Sequence, residues 1–359
     1  INAEGCVRMA VYLANIALMT VFYLSKNSLK NVKDKEAFFC VIAMLQWIVL
    51  SGFRDVSVGA DTEAYKIAFG AVRFKSWTLL YNNFVKILFY GAKGKDPGYP
   101  IISKVAQCVS HNYQVWLIII AIIFTIPLAR WIYKNSKNPY ISFVIYSCLF
   151  YSFFAITGHR QTIATGVLVF ACEPLVKKRK IVPFLILVLL MSTVHKSCLV
   201  YVLYYFLYNK KITDRYVVAV IAAMFAGFVF KNQMLNLLND MSGYEYGVFE
   251  GAGTYTFSFF YIAVMIVAFW FKKNILTQNP EASHIYNGMM LGMVFLPLTF
   301  VNPSMMRVVQ YFSVNVMLMV PEIIDLFDGK EKRIITALCV CMLTLILVKN
   351  HPYYKFFWQ

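Results

Sequence analysis

Apolar stretches of roughly 15 to 22 residues recur along the whole chain, separated by short segments rich in Lys and Arg or carrying Asn and Pro. That length suits helices that cross the hydrocarbon of a bilayer, whereas a membrane barrel needs shorter segments of strict alternation. The mean hydropathy of +0.62, with 31 Phe and 24 Tyr among 359 residues, leaves too few polar side chains to clothe a water-soluble globule of this size. The expected fold class is an all-α polytopic membrane protein.

About twelve spans are expected, at residues 7–25, 37–53, 113–131, 140–157, 161–176, 181–194, 198–208, 216–230, 258–271, 284–301, 307–325 and 334–348. The odd-numbered connections hold 19 of the 34 Lys and Arg, in groups such as Lys177, Lys178, Arg179 and Lys180, and the short even connections with both tails hold seven. An excess of basic residues marks cytoplasmic loops. Both termini, Ala60 and Gly251 are therefore expected outside. The first apolar run reads as an anchor and not a cleaved leader, with Met9 as an expected native start. No repeat or linker divides the chain, so residues 1–359 read as a single transmembrane domain.

Other function classes recede on composition. The net charge of +17 is dispersed between apolar segments and forms no stripe, so it serves topology and anionic membrane lipid, and nucleic acid is not an expected partner. Six of the eight Cys fall inside apolar runs without C-x-x-C spacing and read as small hydrophobes. The five His never pair at metal-ligand spacing, and no Gly-rich phosphate loop is present. Neither a metal nor a cofactor is expected.

The long second connection, residues 54–112, carries amphipathic stretches such as SWTLLYNNFVKILFYG, which predict helices lying on the outer membrane face. The run VPFLILVLLMSTVHKSCLVYVLYYFLY reads either as one long helix or as two short ones. Basic clusters downstream favour two, each of about fourteen residues, which at 1.5 Å per residue reach roughly 21 Å into hydrocarbon near 30 Å thick. His195, at the tip, would then be sunk below the outer surface.

This topology gathers Arg54, Asp55, Asp61, Glu63, Asp96, His159, Arg160, His195 and Arg307 on the outer side. Ionisable groups at membrane depth are costly and face water-filled cavities or one another, so a shared outward cavity is the expected arrangement. Each residue also has a plainer reading. Arg160 and Arg307 could be interfacial anchors, Asp55 a solvated partner of Arg54, Asp61 a helix cap, and His159 and His195 satisfied helix-end histidines.

The ordered series FRDVSVGADTEAY, DPGYPIISK, HRQTIATGVLVFA followed by KKRK, TVHKSCLVY and MMRVVQYFSVNVMLMVP resembles the EpsG family of membrane polysaccharide polymerases, relatives of the Wzy polymerases of O-antigen, capsule and exopolysaccharide. Ala60 stands where that family usually has Thr, and Asp96 where Glu is more common. The resemblance implies a GT-C-like glycosyltransferase of the bacterial cytoplasmic membrane, metal-independent, with its active site facing the periplasm or exterior. Its implied substrate is an oligosaccharide repeat unit on undecaprenyl pyrophosphate, with a chain-length regulator as a possible partner.

The residue types suit such chemistry. Departure of a pyrophosphate from an anomeric carbon calls for preorganised cations, and Arg54, Arg160 and Arg307 can grip phosphate oxygens in pairs. Asp96 and His159 are further candidates for contacts with the substrate. A desolvated histidine that stays neutral can take the proton of the acceptor hydroxyl. His195 is the first candidate base, with Asp55 or Asp61 as replacements. An acyltransferase acting on surface glycans should carry a histidine in its first span, and a glycan or lipid transporter should show charges through several mid-membrane helices and internal symmetry. Neither pattern is present.

Overall fold

Polar residues at the ends of the apolar runs set where helices begin. Asp34 accepts the Ala37 N–H at 2.8 Å, Ser76 that of Leu79 at 3.1 Å, and Asn112 that of Gln114 at 2.9 Å. Each satisfies an amide that the first helical turn leaves without a partner. The structure, a computed structural model, describes residues 3–28, 32–242, 255–350 and 352–359. Gly251 lies outside them.

In chain order the α-helices are α1 (Ala3–Ser25), α2 (Lys35–Gly52), α3 (Thr62–Val72), α4 (Trp77–Phe89), α5 (Gly98–Gln107), α6 (Tyr113–Asn135), α7 (Pro139–Ile145), α8 (His159–Thr165), α9 (Glu173–Lys177), α10 (Ile181–Ser192), α11 (Val202–Leu207), α12 (Asp214–Val229), α13 (Lys231–Ser242), α14 (Tyr255–Trp270), α15 (Lys272–Gln278), α16 (Ser283–Phe295), α17 (Met306–Ser313), α18 (Val316–Ile324) and α19 (Gly329–Lys349). Among the described residues no strand occurs, and the one isolated bridge joins Arg54 to Phe356. The fold is all-helical, as expected.

By length and composition α2 and α6 can each cross a membrane, and up to five crossings result if three bent helix pairs each count as one. The bends reach 83° between α12 and α13, 71° between α14 and α15, and 51° before α18. Other apolar runs form shorter helices, among them Ile181–Ser192 and Lys196–Leu207. The run around His195 is therefore broken at residues 193–195 and not continuous, in keeping with the two-helix reading. Residues 54–112 form α3, α4 and α5, and α4 buries little besides Leu80 while Trp77, Tyr81 and Phe89 stay exposed.

The chain divides into two compact units, one made of residues 1–172, 189–196 and 333–359, the other of residues 173–188 and 197–332. In the first, α2 packs along α6, and the Trp47 indole donates to Ser147 Oγ at 3.0 Å. Phe69, Tyr99, Trp116, Leu117, Ile163 and Val194 form one buried cluster. That apolar floor fixes α3, α5, α6, α8 and the tip near His195 against one another.

In the second unit, α16 is buried along its length. Tyr261 and Tyr286 donate to the carbonyls of Met289 and Ala268 at 2.8 and 2.6 Å, tying α14 to α16. Glu173 accepts the Tyr208 hydroxyl at 2.7 Å.

Candidate active site

Two π-helical turns, Tyr146–Phe150 and Ser152–Ile156, precede Thr157, and a third, Gly166–Ala171, follows α8. Such turns recur at functional sites because they shift the register of side chains and leave carbonyls short of partners. Here the carbonyls are met from three directions. Thr162 Oγ1 donates to Phe154 O at 3.1 Å, Ser51 Oγ to Ala155 O at 2.8 Å, and Thr62 Oγ1 to Ile156 O at 3.3 Å. The end of α2, the start of α3 and the start of α8 are thereby held at one point. Gly158 turns the chain there with φ 63°, a conformation open to glycine at little cost. The next two residues, His159 and Arg160, enter different surroundings.

His159 is buried and meets Arg54, also buried, with 2.9 Å between His159 Nε2 and Arg54 Nη2. A guanidinium only donates, so Nε2 must accept, which places the ring proton on Nδ1. Nδ1 lies 3.4 Å from the Tyr99 hydroxyl, which also accepts from Trp116 Nε1 at 3.4 Å. Tyr65 stacks on the imidazole with centroids 4.2 Å apart. Burial, then the charges of Arg54 and Arg160, hold the His159 pKa well below that of a free histidine.

Arg54 donates through Nη1 to the Ser51 carbonyl. Burial lowers its pKa to about 10 against the opposing effect of Tyr113 and other tyrosines, so it stays charged at neutral pH. Among the described residues no carboxylate pairs with it. Its backbone is clamped by the C-terminal tail, where Asp55 N–H donates to Lys355 O at 2.8 Å and Phe357 N–H to Phe53 O at 3.0 Å. The Tyr354 hydroxyl adds a bond to Leu50 O at 2.9 Å. This clamp left no signal in the sequence beyond the polar end of an aromatic tail.

Arg160 reaches Asp96 at 2.5 Å through Nη1 and the Tyr65 hydroxyl at 3.3 Å through Nε. Its side chain keeps 26% exposure while that of Asp96 has 1%. Asp96 sits at φ 49° in the turn before α5. Its Oδ1 accepts the Lys196 N–H at 3.0 Å, and its Oδ2 lies 3.6 Å from His195 Nδ1. Two residues on, Gly98 N–H donates to Thr193 O at 2.7 Å. A Cβ at Gly98 would stand 2.2 Å from Thr193 Oγ1, so only glycine permits this approach. Burial alone would raise the Asp96 carboxyl, but the neighbouring His195 and the charge of Arg160 bring it below the usual range.

Of the residues selected from the sequence, Arg54, His159, Arg160, Asp96 and His195 thus form one connected cluster in the first unit. Asp55 instead closes a local turn, its Oδ1 accepting from Ser57 N–H at 2.9 Å and Ser57 Oγ at 2.7 Å. Asp61 stands at the N-cap of α3 without a capping bond from its side chain. Arg307, half-buried at the start of α17, belongs to the second unit. Tyr65 and Tyr99, which lie inside the motifs FRDVSVGADTEAY and DPGYPIISK but were not selected as site residues, and Trp116, which lies in no quoted motif, supply the walls. Among the described residues no group of three or more His, Cys, Asp or Glu is placed to hold a metal ion.

Long apolar helices joined to a largely buried cluster of arginines, histidines and one carboxylate define a helical membrane protein with a polar site built from loops and helix ends. The chain belongs to the EpsG family, whose model matches residues 36–357. The match includes every residue of the cluster and the tail segment that clamps Arg54. Membership connects the chain with polysaccharide polymerisation in general. Among curated proteins and among solved structures, nothing matches it.

Proposed function

We propose that the protein is a glycosyltransferase of the bacterial cytoplasmic membrane, GT-C-like with about twelve spans, that polymerises oligosaccharide repeat units carried on undecaprenyl pyrophosphate at the outer face. The carrying observation is the Arg160–Asp96–His195 arrangement, which sets a partly exposed guanidinium and a histidine on one buried carboxylate. In the reaction, an acceptor hydroxyl oxygen bonds to the anomeric carbon. The bond from that carbon to the pyrophosphate oxygen breaks, and its electron pair leaves with the lipid pyrophosphate. Arg160 meets the charge that develops there, and the charge of Arg54, with which no carboxylate among the described residues pairs, adds to the field. His195 takes the hydroxyl proton, with Asp96 on its Nδ1 side to orient the ring and favour the imidazolium.

In this reading His159 is a positioning residue, because its Nε2 is engaged by Arg54. Asp55 and Asp61 remain the alternative bases, and Arg307 a further cation for the pyrophosphate. Membrane lipid surrounds the spans, and a chain-length regulator is a proposed partner.

Glycan analysis of a deletion strain tests the proposal. Loss of polymer with a single lipid-linked repeat unit retained is the expected result. Unchanged chain length with a missing acyl group would replace it with an acyltransferase. Accumulation of repeat units on the cytoplasmic side would replace it with a transporter.

A further inference from the structure

A cavity of about 610 Å³ opens beside the cluster's own elements in the first unit, between the Ser57–Glu63 segment, the Tyr151–Thr157 turn and the C-terminal tail. That volume lies in the range of clefts that bind small ligands, about 300 to 1,000 Å³. Its chemistry differs from that of the cluster. Tyr151 and Tyr353 give it aromatic surface, Ser57, Ser152 and Thr157 give it hydroxyls, and Glu63 is its one ionisable carboxylate. Among the described residues no Lys or Arg lines it, and no hydrogen bond or ion pair engages the exposed Glu63 side chain.

A pyrophosphate would find no cation there and would be repelled by Glu63. A neutral sugar fits instead, because its C–H faces pack on aromatic rings while its hydroxyls donate to a carboxylate and exchange bonds with Ser and Thr. α3 links this cavity to the cluster. It presents Glu63 to the cavity, and two residues later Tyr65 stacks on His159 and accepts from Arg160. The tail does the same, since Pro352 and Tyr353 line the cavity while Lys355 and Phe356 pair with the Arg54 segment.

We infer that this cavity is the binding site for the uncharged glycan portion of the acceptor, separate from the cationic cluster that takes the pyrophosphate, with Glu63 as the residue that orients it. The inference rests on the polymerase reading for its substrate class. The tail, by lining one site and clamping the other, sets the spacing between them.

The test uses the purified full chain in detergent and two probes. One is a set of neutral oligosaccharides from partial hydrolysis of the strain's own surface polysaccharide, and the other is inorganic pyrophosphate, each followed by saturation-transfer NMR. Ala60→Trp fills the cavity from an exposed position, and Glu63→Gln removes the carboxylate while keeping its size. Each should weaken oligosaccharide binding at least tenfold and leave pyrophosphate binding unchanged, whereas Arg160→Ala should do the reverse. Glu63→Gln keeps the test decisive if the larger substitution disturbs folding. Wild-type oligosaccharide binding by both variants, or no oligosaccharide binding by the native chain, would overturn the inference. Polymerisation of lipid-linked repeat units is measured in parallel. Full polymerisation by both cavity variants defeats the cavity while the function stands. Cavity-dependent binding without any polymerisation by the native chain defeats the function while the cavity stands.

Discussion

His159 and Arg160 are neighbours on the first turn of α8, yet they head into opposite kinds of environment. His159 joins a closed half, where Arg54, Tyr65, Tyr99 and Trp116 surround the ring and its Nε2 is engaged by a permanent donor. Arg160 joins an open half, where a partly exposed guanidinium and His195 share one buried carboxylate. In the proposed reading the closed half holds a shape, and the open half meets the charge that develops on the substrate. Residue type alone does not separate the two, since each half contains one Arg and one His. Among the described residues, what separates them is the carboxylate, which pairs with Arg160 and not with Arg54.

The largest expected effect lies in the open half. His195→Gln keeps a hydrogen-bonding group but cannot take a proton near neutral pH, so turnover with purified protein and lipid-linked repeat units should fall by about 10² or more. Substrate binding should survive. If turnover stays near normal while Asp55→Asn or Asp61→Asn abolishes it, the base is one of those carboxylates and the open half is not where the proton goes.

Next comes the grip on phosphate. Arg160→Lys keeps the charge and loses the planar fork, so polymerisation should drop by roughly tenfold with membrane insertion and abundance unchanged. Normal polymer length in a complemented deletion strain would remove Arg160 from the pyrophosphate site.

The joint between α5 and the His195 tip is tested by Gly98→Ala. Its Cβ would fall 2.2 Å from Thr193 Oγ1 and 3.1 Å from the Thr193 backbone carbon, so the tip must shift. A cost of about 1 to 3 kcal/mol is expected, read as a lowered melting temperature. Asp96 and His195 should then fail together in activity. Unchanged melting and activity would show that the tip is not held by this approach.

Acid should tell the halves apart with the smallest signal. The His159 pKa is depressed, so the closed half is fully stable above the pKa of the unfolded histidine, about 6.5, and loses stability as pH falls from there toward the lowered folded value. The Asp96 pKa is also depressed. Its contribution is complete above the pKa of an unfolded aspartate, about 3.9, and is lost only as pH falls through the lower folded value. Melting curves between pH 4 and 7 should therefore show a decline that His159→Gln flattens. An equal decline in that variant would place the acid-sensitive group elsewhere.

Much of the fold was legible because membrane helices are specified by local composition. The apolar runs that became α2 and α6 and the amphipathic pattern of residues 54–112 act within a few residues of where they stand, whereas the caps at Asp34, Ser76 and Asn112 emerged only from the structure. The break at residues 193–195 could be read from charges further along the chain. The cluster was legible only as a set of candidates. Arg54, Asp96, His159, Arg160 and His195 stood out as ionisable groups expected on one side, but so did Asp55, which a serine two residues away satisfies.

The sequence by itself determined the helical membrane class, the family and the residue types available for chemistry, because hydropathy and order along the chain are one-dimensional properties. Tertiary structure decided which carboxylate is buried between a guanidinium and an imidazole, which histidine is locked by a neighbouring cation, and that the C-terminal tail returns to pair with Arg54. Those outcomes depend on contacts between residues 60 to 300 positions apart, where burial sets the cost of a charge and only the folded neighbours decide whether that cost is met.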